Sequence, residues 1–257
     1  MQARPHLTVV IPAYNEAARI GASLRTACAY LAGLGRPAEI VVVDDGSRDG
    51  TAAAVQGLAV PAGVTVRLLR NDRNRGKGYS IKHGVLLSTG ERLLLSDADF
   101  STPIEELPRL LEPIERGECD IAIGSRGLPG SRVEIHQPVW REAMGRAFNG
   151  LVRALTALPF RDTQCGFKAM RRGAALPLFR AARIERFAYD VEILYLARKA
   201  GLAVREVPVL WRNAAGSKVN ALSDSMDMLK DVGRILWRDR RGRYGDLRAA
   251  ILAEGGR

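Results

Sequence analysis

Apolar runs and amphipathic stretches alternate along the first hundred residues of the chain. Four of the runs predict buried β-strands, at residues 7–11, 39–43, 64–69 and 92–96. Stretches with helical spacing lie between these strands. The first runs from an N-cap at Asn15 to about Leu34, the second begins near Asp49, and the third runs from Tyr79 to Leu87. Continuous apolar strands that alternate with helices are typical of parallel sheets covered on both faces, so the pattern predicts an α/β fold.

The second half of the chain is less regular. Further strands are predicted at 120–123 and 202–211, helices at 139–158, 189–199 and 221–237, and a compact mixed segment at 160–170. A basic cluster, Arg238 to Arg243, follows the last helix. We see no internal repeat and no linker, and therefore expect one large domain with a C-terminal extension.

Two carboxylates, Asp97 and Asp99, follow the fourth predicted strand. In an extended segment both side chains point to the same side, because side chains alternate with a period of two. Such a pair can bind a hard divalent cation through oxygen and leave room for substrate phosphates. A strand that ends in a polar turn explains the motif alone equally well.

Other polar residues follow the neighbouring strands. Asp44 and Asp45 can accept hydrogen bonds from the hydroxyl and imide groups of a nucleotide. The alternative role is to start a helix in a tight turn. Lys77 lies between Gly76 and Gly78, where the small neighbours would let a phosphate approach the backbone and the ammonium group would neutralise it. The alternative is an ordinary solvated lysine. Ligands of parallel sheets bind beyond the carboxyl ends of the strands. We therefore expect these loops to meet at one edge and to form a site for a nucleotide, its phosphates and a metal ion.

Composition narrows the class of protein. The chain has 257 residues, 47% of them hydrophobic, and a formal net charge of +11 from 39 Lys and Arg against 28 Asp and Glu. This charge favours polyanionic partners, such as nucleic acid, an anionic membrane surface or phosphorylated substrates. Three separated cysteines indicate neither a disulfide framework nor a metal cluster. We find neither a secretory leader nor an apolar stretch of about 20 residues, and expect a cytoplasmic protein, at most peripheral on the cytoplasmic face of a membrane.

Four motifs, in their order and spacing, resemble those of the inverting family-two glycosyltransferases of the GT-A fold. They are Val10–Glu16, Val42–Ser47, Asn74–Gly78 and Asp97–Asp99. The resemblance implies a GT-A, nucleotide-diphospho-sugar transferase fold with a Rossmann-like, mostly parallel central sheet flanked by helices. It also implies a glycosyltransferase domain at 1–220, with a donor half at 1–100 and an acceptor half at 101–220, followed by an amphipathic helix and basic tail at 221–257.

Motifs of the second half are similar to those of the dolichyl-phosphate glucosyltransferase branch and of related polyprenyl-phosphate enzymes. They are Gly124–Arg126, Arg161–Lys168, Arg186–Glu192, Trp211 and Gly216–Val219. The similarity implies inverting transfer of a hexose, glucose from UDP-glucose, to a polyprenyl phosphate, with Mg²⁺ or Mn²⁺ as cofactor. Eukaryotic members carry an N-terminal membrane anchor that we do not find in this sequence, so a soluble hydroxyl acceptor is the alternative.

The resemblance also assigns roles to individual residues. Those around the donor nucleotide sugar are Pro12, Tyr14, Glu16, Asp44, Asp45, Lys77, Asp97, Ala98 and Asp99, with the metal on Asp97 and Asp99. Contacts with the acceptor phosphate are assigned to Arg126, Arg141 and Gln164. Two guanidinium groups fit a phosphate better than lysines do, although for Arg141 a solvated helix face is the alternative.

Asp190 and Asp162 are the candidate catalytic residues. In an inverting transfer the acceptor attacks the anomeric carbon opposite the departing diphosphate. A hydroxyl acceptor needs a general base, for which the family position is Asp190 and the rival is Asp162, whereas a phosphate already carries its charge. With a phosphate acceptor, either carboxylate positions other groups instead. A helix cap for Asp190 and a turn contact for Asp162 are the structural alternatives.

Two questions about surfaces stay open at this point. The apolar spacing from Ala221 to Trp237, with its basic neighbours, fits either a helix on an anionic membrane or a helix packed on its own core. A basic nucleic-acid-binding protein is the remote alternative to an enzyme. The arginines are dispersed and the aspartate-rich edge would repel phosphates without a cation, so we expect no nucleic-acid partner.

Overall fold

The computed structural model describes residues 4–135, 139–212 and 221–255. The strands in this part of the chain are β1 (Leu7–Ala13), β2 (Ala38–Asp44), β3 (Val64–Arg70), β4 (Arg92–Leu95), β5 (Ile121–Ser125), β6 (Arg132–Ile135), β7 (Lys168–Arg171), β8 (Val204–Pro208) and β9 (Leu210–Arg212). Seven of them form one sheet in the order β3-β2-β1-β4-β7-β5-β8, while β6 and β9 form a small second sheet.

Helices cover both faces of the large sheet. They are α1 (Ile20–Gly33), α2 (Thr51–Gln56), α3 (Lys77–Leu87), α4 (Leu107–Glu115), α5 (Val139–Thr156), α6 (Arg172–Ala181), α7 (Tyr189–Ala200), α8 (Ala221–Arg240) and α9 (Leu247–Gly255). One hydrophobic core lies on each face. Val10 of β1 belongs to one core and its neighbours Val9 and Ile11 belong to the other. This alternation explains why the strand reads as a continuous apolar run.

The first four strands form the parallel half of the sheet, as the sequence predicts. β1 pairs in parallel with β2 on one side and with β4 on the other, and β3 pairs in parallel with β2. The carboxyl ends of these strands therefore share one edge, and the loops that follow them leave from that edge.

β7 enters the sheet between β4 and β5 and runs antiparallel to both. Its first residue, Lys168, lies beside Leu95 of β4 and Ile123 of β5. The antiparallel direction brings the residues just before β7 to the edge where β4 and β5 end. The 160–167 segment thereby joins the loops of the parallel half, although it is distant from them in sequence.

Two predicted elements are wrong in detail. α1 begins at Ile20 rather than after an N-cap at Asn15, because Asn15 has a left-handed backbone (φ 52°) and its Oδ1 accepts the backbone N–H of Arg48 at 2.9 Å. The single strand predicted at 202–211 is divided into β8, in the large sheet, and β9, which pairs with β6.

The C-terminal segment packs on the domain. Val232 and Ile235 of α8 and Leu247 of α9 are buried in one of the two cores, and α9 packs against α6. A basic tail after Trp237 is not what the structure shows, since α8 continues to Arg240 and a second helix follows. Within the described ranges, no helix combines the length and the hydrophobicity that a transmembrane segment requires.

Candidate active site

The loops after β1 and β2 are tied together by hydrogen bonds. The backbone N–H of Asn15 donates to Ser47 Oγ at 2.8 Å, and that of Glu16 donates to Thr51 Oγ1 at 2.7 Å. The backbone N–H of Ala17 donates to a side-chain oxygen of the second loop as well. These bonds hold the two loops side by side at the carboxyl edge of the sheet, where the sequence predicts them to meet.

Asp44 and Asp45 are buried and stabilise this edge of the sheet through hydrogen bonds. Asp44 is fully buried and accepts Nε of Arg70 at 3.1 Å. Asp45 accepts the backbone N–H groups of Arg75 at 2.9 Å and Gly76 at 2.8 Å, and so ties the loop after β3 to the end of β2. Of the two roles that the sequence leaves open, the structure shows the loop-forming one. Contact of these carboxylates with a base and ribose stays a prediction.

Gly76 and Gly78 make room for a neighbouring loop. A Cβ on Gly76 would lie 2.5 Å from the carbonyl oxygen of Glu185, and one on Gly78 would lie 2.6 Å from that of Ile184. Gly76 also has a φ of +107°, which favours glycine. This packing is a structural reason for both glycines, and the approach of a phosphate to their backbone stays a prediction. It places Lys77, the first residue of α3, against the loop at 184–186.

Asp97 and Asp99 lie in a turn, since β4 ends at Leu95. The prediction that they share one side of an extended strand is therefore wrong. Oδ1 of Asp97 lies 2.6 Å from Nζ of Lys77, whereas Oδ2 of Asp99 lies 3.7 Å from Nη1 of Arg19. Burial opposes the ionisation of Asp97, but the Lys77 ammonium holds the pKa of this carboxyl below its usual range. Each aspartate thus faces its own cation.

Gly166 leaves space for the Asp97 carboxylate. A Cβ at this position would lie 2.5 Å from Oδ2 and 2.9 Å from Cγ of Asp97. The residue lies just before β7, in the segment that the antiparallel direction of β7 brings to the end of β4. Protein interiors are close-packed, so any larger side chain at 166 would displace the carboxylate.

The loop after β1 reaches the acidic pair through Arg19. Nη2 of Arg19 donates to Oε1 of Glu16 at 2.9 Å, and the same guanidinium reaches Asp99. These contacts raise the pKa of Arg19, with the hydrogen bond to Glu16 as the largest cause. Pro12 and Tyr14, also predicted to contact the donor, lie at the end of β1 and directly after it. Their predicted roles stay predictions.

Arg126 and Asp162 form a bidentate ion pair on the opposite side of the edge. Asp162 accepts Nε of Arg126 at 2.6 Å, its Nη2 at 2.9 Å and its backbone N–H at 3.0 Å. It also accepts the backbone N–H groups of Gln164 and Cys165, both at 3.1 Å. Burial opposes ionisation, but Arg126 and these donors lower the pKa of Asp162 to about 2. Such a weak base with five donors around it is suited to positioning Arg126, one of the two roles left open.

Asp162→Asn is expected to lower the free energy of unfolding at pH 7 by on the order of 2 kcal/mol, because the folded pKa is depressed. A carboxyl whose pKa is depressed by folding stabilises the folded protein at pH values above its unfolded pKa of about 3.8. This stabilisation is lost as the pH falls through the folded pKa of about 2. Urea unfolding of both proteins should therefore show about half of the pH 7 difference near pH 3. A difference that is the same at both pH values would contradict this assignment.

Asp190 and Lys168 form a buried ion pair beside the acidic turn. Nζ of Lys168 lies 2.5 Å from Oδ1 of Asp190, and the two side chains are only 1% and 5% exposed. The ammonium also donates to the carbonyl oxygen of Cys165. Burial raises the pKa of Asp190, against the opposing effect of Lys168 and Lys77. Ala188 occupies the N-cap position of α7, so the helix-cap alternative for Asp190 is wrong.

The other predicted residues have different surroundings. Ala98 is buried in one of the cores. Gln164, predicted to bind the acceptor, donates from Nε2 to Sδ of Met228 in α8 at 3.7 Å. Arg141 belongs to α5, but its side chain lies outside the described residues, as does the Gly216–Val219 motif.

Three residues of this edge received no individual role from the sequence: Arg19, Gly166 and Lys168. The last two belong to the Arg161–Lys168 motif, and membership of that motif was the signal that pointed to them. Arg19 follows Glu16 by three residues, a spacing that is too common to single it out.

The acidic pair has the chemistry of a site for a divalent cation. Within the described ranges, no three His, Cys, Asp or Glu side chains are grouped as metal ligands. Asp97 and Asp99 alone offer hard oxygen atoms, and their side chains are 38% and 21% exposed. Mg²⁺ is commonly bound by one or two carboxylates together with substrate phosphates and water. The two residues therefore fit a cation of this kind that is bound together with a diphosphate.

The sheet and its acidic edge define the class of the protein, that of the GT-A glycosyltransferases. Mannosyl-3-phosphoglycerate synthase from Rubrobacter xylanophilus superposes with a TM-score of 0.66 at 21% identity, over 92% of this chain and 74% of that one. Glucosyl-3-phosphoglycerate synthase from Mycobacterium tuberculosis, solved with Mn²⁺, UDP-glucose and phosphoglyceric acid, gives a TM-score of 0.64 at 18% identity, over 94% and 80%. The predicted fold is confirmed.

The chain belongs to glycosyl transferase family 2, whose family model matches residues 8–179. Dolichyl-phosphate beta-glucosyltransferase from Dictyostelium discoideum is 37% identical over 243 residues, which are 91% of this chain and 74% of that protein. The Homo sapiens enzyme of the same name is 35% identical over 237 residues, which are 88% and 73%. The predicted family and the predicted class of enzyme, a glycosyltransferase, are confirmed.

Gly166→Ala is expected to lower the rate of glycosyl transfer by about a hundredfold, because the new Cβ would move the Asp97 carboxylate out of place. Gly150→Ala is the matched control, since a Cβ on this α5 residue meets no heavy atom within 4 Å. Steady-state kinetics of the two variants and the wild-type enzyme measure the effect. Equal rates in both variants would show that the space beside Asp97 is not needed.

Proposed function

We propose that this enzyme transfers glucose from UDP-glucose to a polyprenyl phosphate with inversion at the anomeric carbon. An oxygen of the acceptor phosphate forms the bond to that carbon, while the bond from the carbon to the diphosphate breaks and UDP leaves with the electron pair. The names of the curated relatives support the sugar and the class of acceptor. The UDP-glucose bound by the mycobacterial relative supports the donor.

One observation favours a phosphate over a hydroxyl acceptor: both candidate bases are already engaged. Asp162 has a pKa of about 2 and holds Arg126. Asp190 is buried and paired with the Lys168 ammonium at 2.5 Å. A hydroxyl acceptor would need one of them to take a proton, whereas a phosphate monoester is already an anion near neutral pH. The site therefore suits a nucleophile that brings its own charge.

On the donor side, the proposal assigns to Lys77, Asp97 and Asp99 the task of neutralising the diphosphate, the two aspartates through a metal ion. Asp97 and Asp99 would hold Mg²⁺ or Mn²⁺, which supplies neutralisation of the negative charge on the departing diphosphate. The Lys77 ammonium lies 2.6 Å from Asp97 and would contribute a second positive charge toward the same diphosphate. Gly166 keeps Asp97 in place, and Arg19 keeps Asp99 within reach of the β1 loop.

On the acceptor side, Arg126 is the proposed contact for the acceptor phosphate. Asp162 holds the guanidinium from one side through two side-chain hydrogen bonds, and 35% of the Arg126 side chain remains exposed. Its Cζ lies 5.6 Å from the centre of the Trp211 ring, a contact that further restricts the guanidinium. A fixed, partly exposed guanidinium is suited to binding one phosphate group.

A panel of nucleotide sugars tests the donor assignment. The enzyme is incubated with farnesyl phosphate, with Mg²⁺, Mn²⁺ or EDTA, and with UDP-glucose, UDP-galactose, UDP-N-acetylglucosamine or GDP-mannose, and products are detected by mass spectrometry. We expect glucosyl phosphofarnesol from UDP-glucose with either metal and none with EDTA. Efficient transfer from another sugar nucleotide, or full activity in EDTA, would overturn the corresponding part of the proposal.

A further inference from the structure

An arginine-lined cavity lies at the junction of the C-terminal helices with the rest of the domain. Its volume is about 340 Å³, and Arg183, Arg238 and Arg243 line it. Arg183 follows α6, Arg238 lies near the end of α8, and Arg243 lies in the turn between α8 and α9. The topology thus brings Arg183 to the same place as two arginines that lie five residues apart near the end of α8. None of the residues assigned to donor or acceptor lines this cavity.

The three guanidinium groups are only partly neutralised: the positive charge of Arg238 acts to lower the pKa of both Tyr244 and Glu192, which lie near it. Among the described residues, no ion pair within 4 Å involves Arg183, Arg238 or Arg243, although most other arginines in that part of the chain have one. Nη1 of Arg238 is buried from solvent and makes no hydrogen bond within the described ranges. A buried charged donor without an acceptor is costly, so a ligand that supplies acceptor oxygens would stabilise this arrangement.

The nearest carboxylate, Glu192, is committed elsewhere. Its oxygens accept the backbone N–H of Arg183 at 2.9 Å, that of Ile184 at 2.8 Å and the hydroxyl of Tyr244 at 2.7 Å. Burial raises the pKa of Glu192, partly offset by these donors. Glu192 therefore fixes the main chain behind the cavity and offsets part of the charge of Arg238, whereas within the described ranges no carboxylate forms an ion pair with Arg183 or Arg243.

The geometry points to a second anion site: the cavity of Arg183, Arg238 and Arg243 binds a phosphate group. Guanidinium groups bind phosphate oxygens in bidentate fashion, and three of them around one cavity offer enough N–H donors for the oxygens of a phosphate ester and more than enough positive charge to neutralise it. The volume lies within the usual range for small-ligand sites. Trp237, 47% exposed, lies beside it, with Cζ of Arg243 4.8 Å from the centre of its ring.

The phosphate can belong to a free phosphate ester or to a lipid headgroup, and two assays distinguish these sources. Calorimetry measures binding of inorganic phosphate. Co-sedimentation measures binding to vesicles of equal parts phosphatidylcholine and phosphatidic acid, against vesicles of phosphatidylcholine alone. The variant is Arg183→Gln/Arg243→Gln, in which both altered side chains are exposed. Arg25→Gln, at an exposed arginine on α1, is the control for the loss of a surface arginine outside the cavity, and thermal unfolding checks that each protein is folded.

We expect the double variant to bind inorganic phosphate at this site at least roughly tenfold more weakly than the wild-type protein, and Arg25→Gln to bind as the wild type does. Loss of vesicle binding in the same variant, with competition by inorganic phosphate, would identify a lipid headgroup as the source. Unchanged vesicle binding with weakened phosphate binding would identify a soluble ester. Equal phosphate binding by the wild-type protein and the double variant would overturn the proposal.

Discussion

Asp97→Asn is expected to lower the rate of glucose transfer by about a thousandfold or more, while the protein still folds. The substitution keeps the shape of the side chain, which the space beside Gly166 requires, and removes the charge that faces Lys77 at 2.6 Å. It thereby removes one of only two hard anionic ligands at the proposed metal site. Single-turnover rates with UDP-glucose, farnesyl phosphate and Mn²⁺ measure the effect.

Asp72→Asn is the matched control for this experiment. Asp72 lies in the loop after β3 at the same edge of the sheet, and its side chain is 65% exposed. A general loss of negative charge at the edge would slow both variants, whereas a specific role for Asp97 would slow only one. Each factor of ten in rate corresponds to about 1.4 kcal/mol of transition-state stabilisation, so a threefold difference is less than about 1 kcal/mol. A rate for Asp97→Asn within about threefold of that for Asp72→Asn would therefore exclude Asp97 from the reaction.

Lys168→Met is expected to lower the free energy of unfolding by about 3 to 5 kcal/mol, because it leaves the buried Asp190 carboxylate without its cation. Asp190→Leu in the Lys168→Met background should restore much of that loss, since the uncompensated charge is then gone. Urea unfolding of the single and double variants measures both effects.

Lys230→Met provides the comparison on the surface. Lys230 also pairs with an aspartate, Asp227 at 3.0 Å, but its side chain is 63% exposed. Exposed pairs contribute about 0 to 1 kcal/mol, so this variant should be nearly as stable as the wild-type protein. A similar loss of stability in Lys168→Met and Lys230→Met would mean that the Lys168–Asp190 pair is not the buried interaction described above.

The parallel half of the sheet could be predicted because its signal is local. β1, β2 and β3 are each seven residues long and separated by helices, and β1 and β2 are buried along almost their whole length, whereas β3, at the edge of the sheet, is mostly half-buried. The four motifs of the family lie at the ends of β1 to β4 and in the loops that follow these strands, so the edge of the sheet could be located as well.

The acceptor half could not be predicted to the same degree, because its structure depends on long-range pairing. β7 has only four residues and shows no period, yet its antiparallel direction places Gly166 against Asp97 and Lys168 against Asp190. Neither contact can be inferred from the spacing of residues along the chain. α9 was missed for a related reason: its packing against α6 is visible only once both helices are placed.

The acidic pair shows that the geometry inferred from the sequence can be wrong while the proposed role of the residues stays a prediction. Strand periodicity predicts that Asp97 and Asp99 point to one side, but β4 stops at Leu95 and the two residues lie in a turn. They still face the same site, because Lys77 and Arg19 approach them from two different loops. The residue types indicated the chemistry, and tertiary contacts determined the arrangement.

The most direct test of the proposed acceptor uses two molecules that differ only in the phosphate. Farnesyl phosphate and farnesol are offered together at equal concentration with UDP-glucose and Mn²⁺, and products are separated and identified by mass spectrometry. Because Asp162 and Asp190 are both engaged, we predict glucosyl phosphofarnesol with an inverted anomeric centre and no detectable farnesyl glucoside. Glucosylation of farnesol at a comparable rate would show that the enzyme supplies a general base, and would contradict the account.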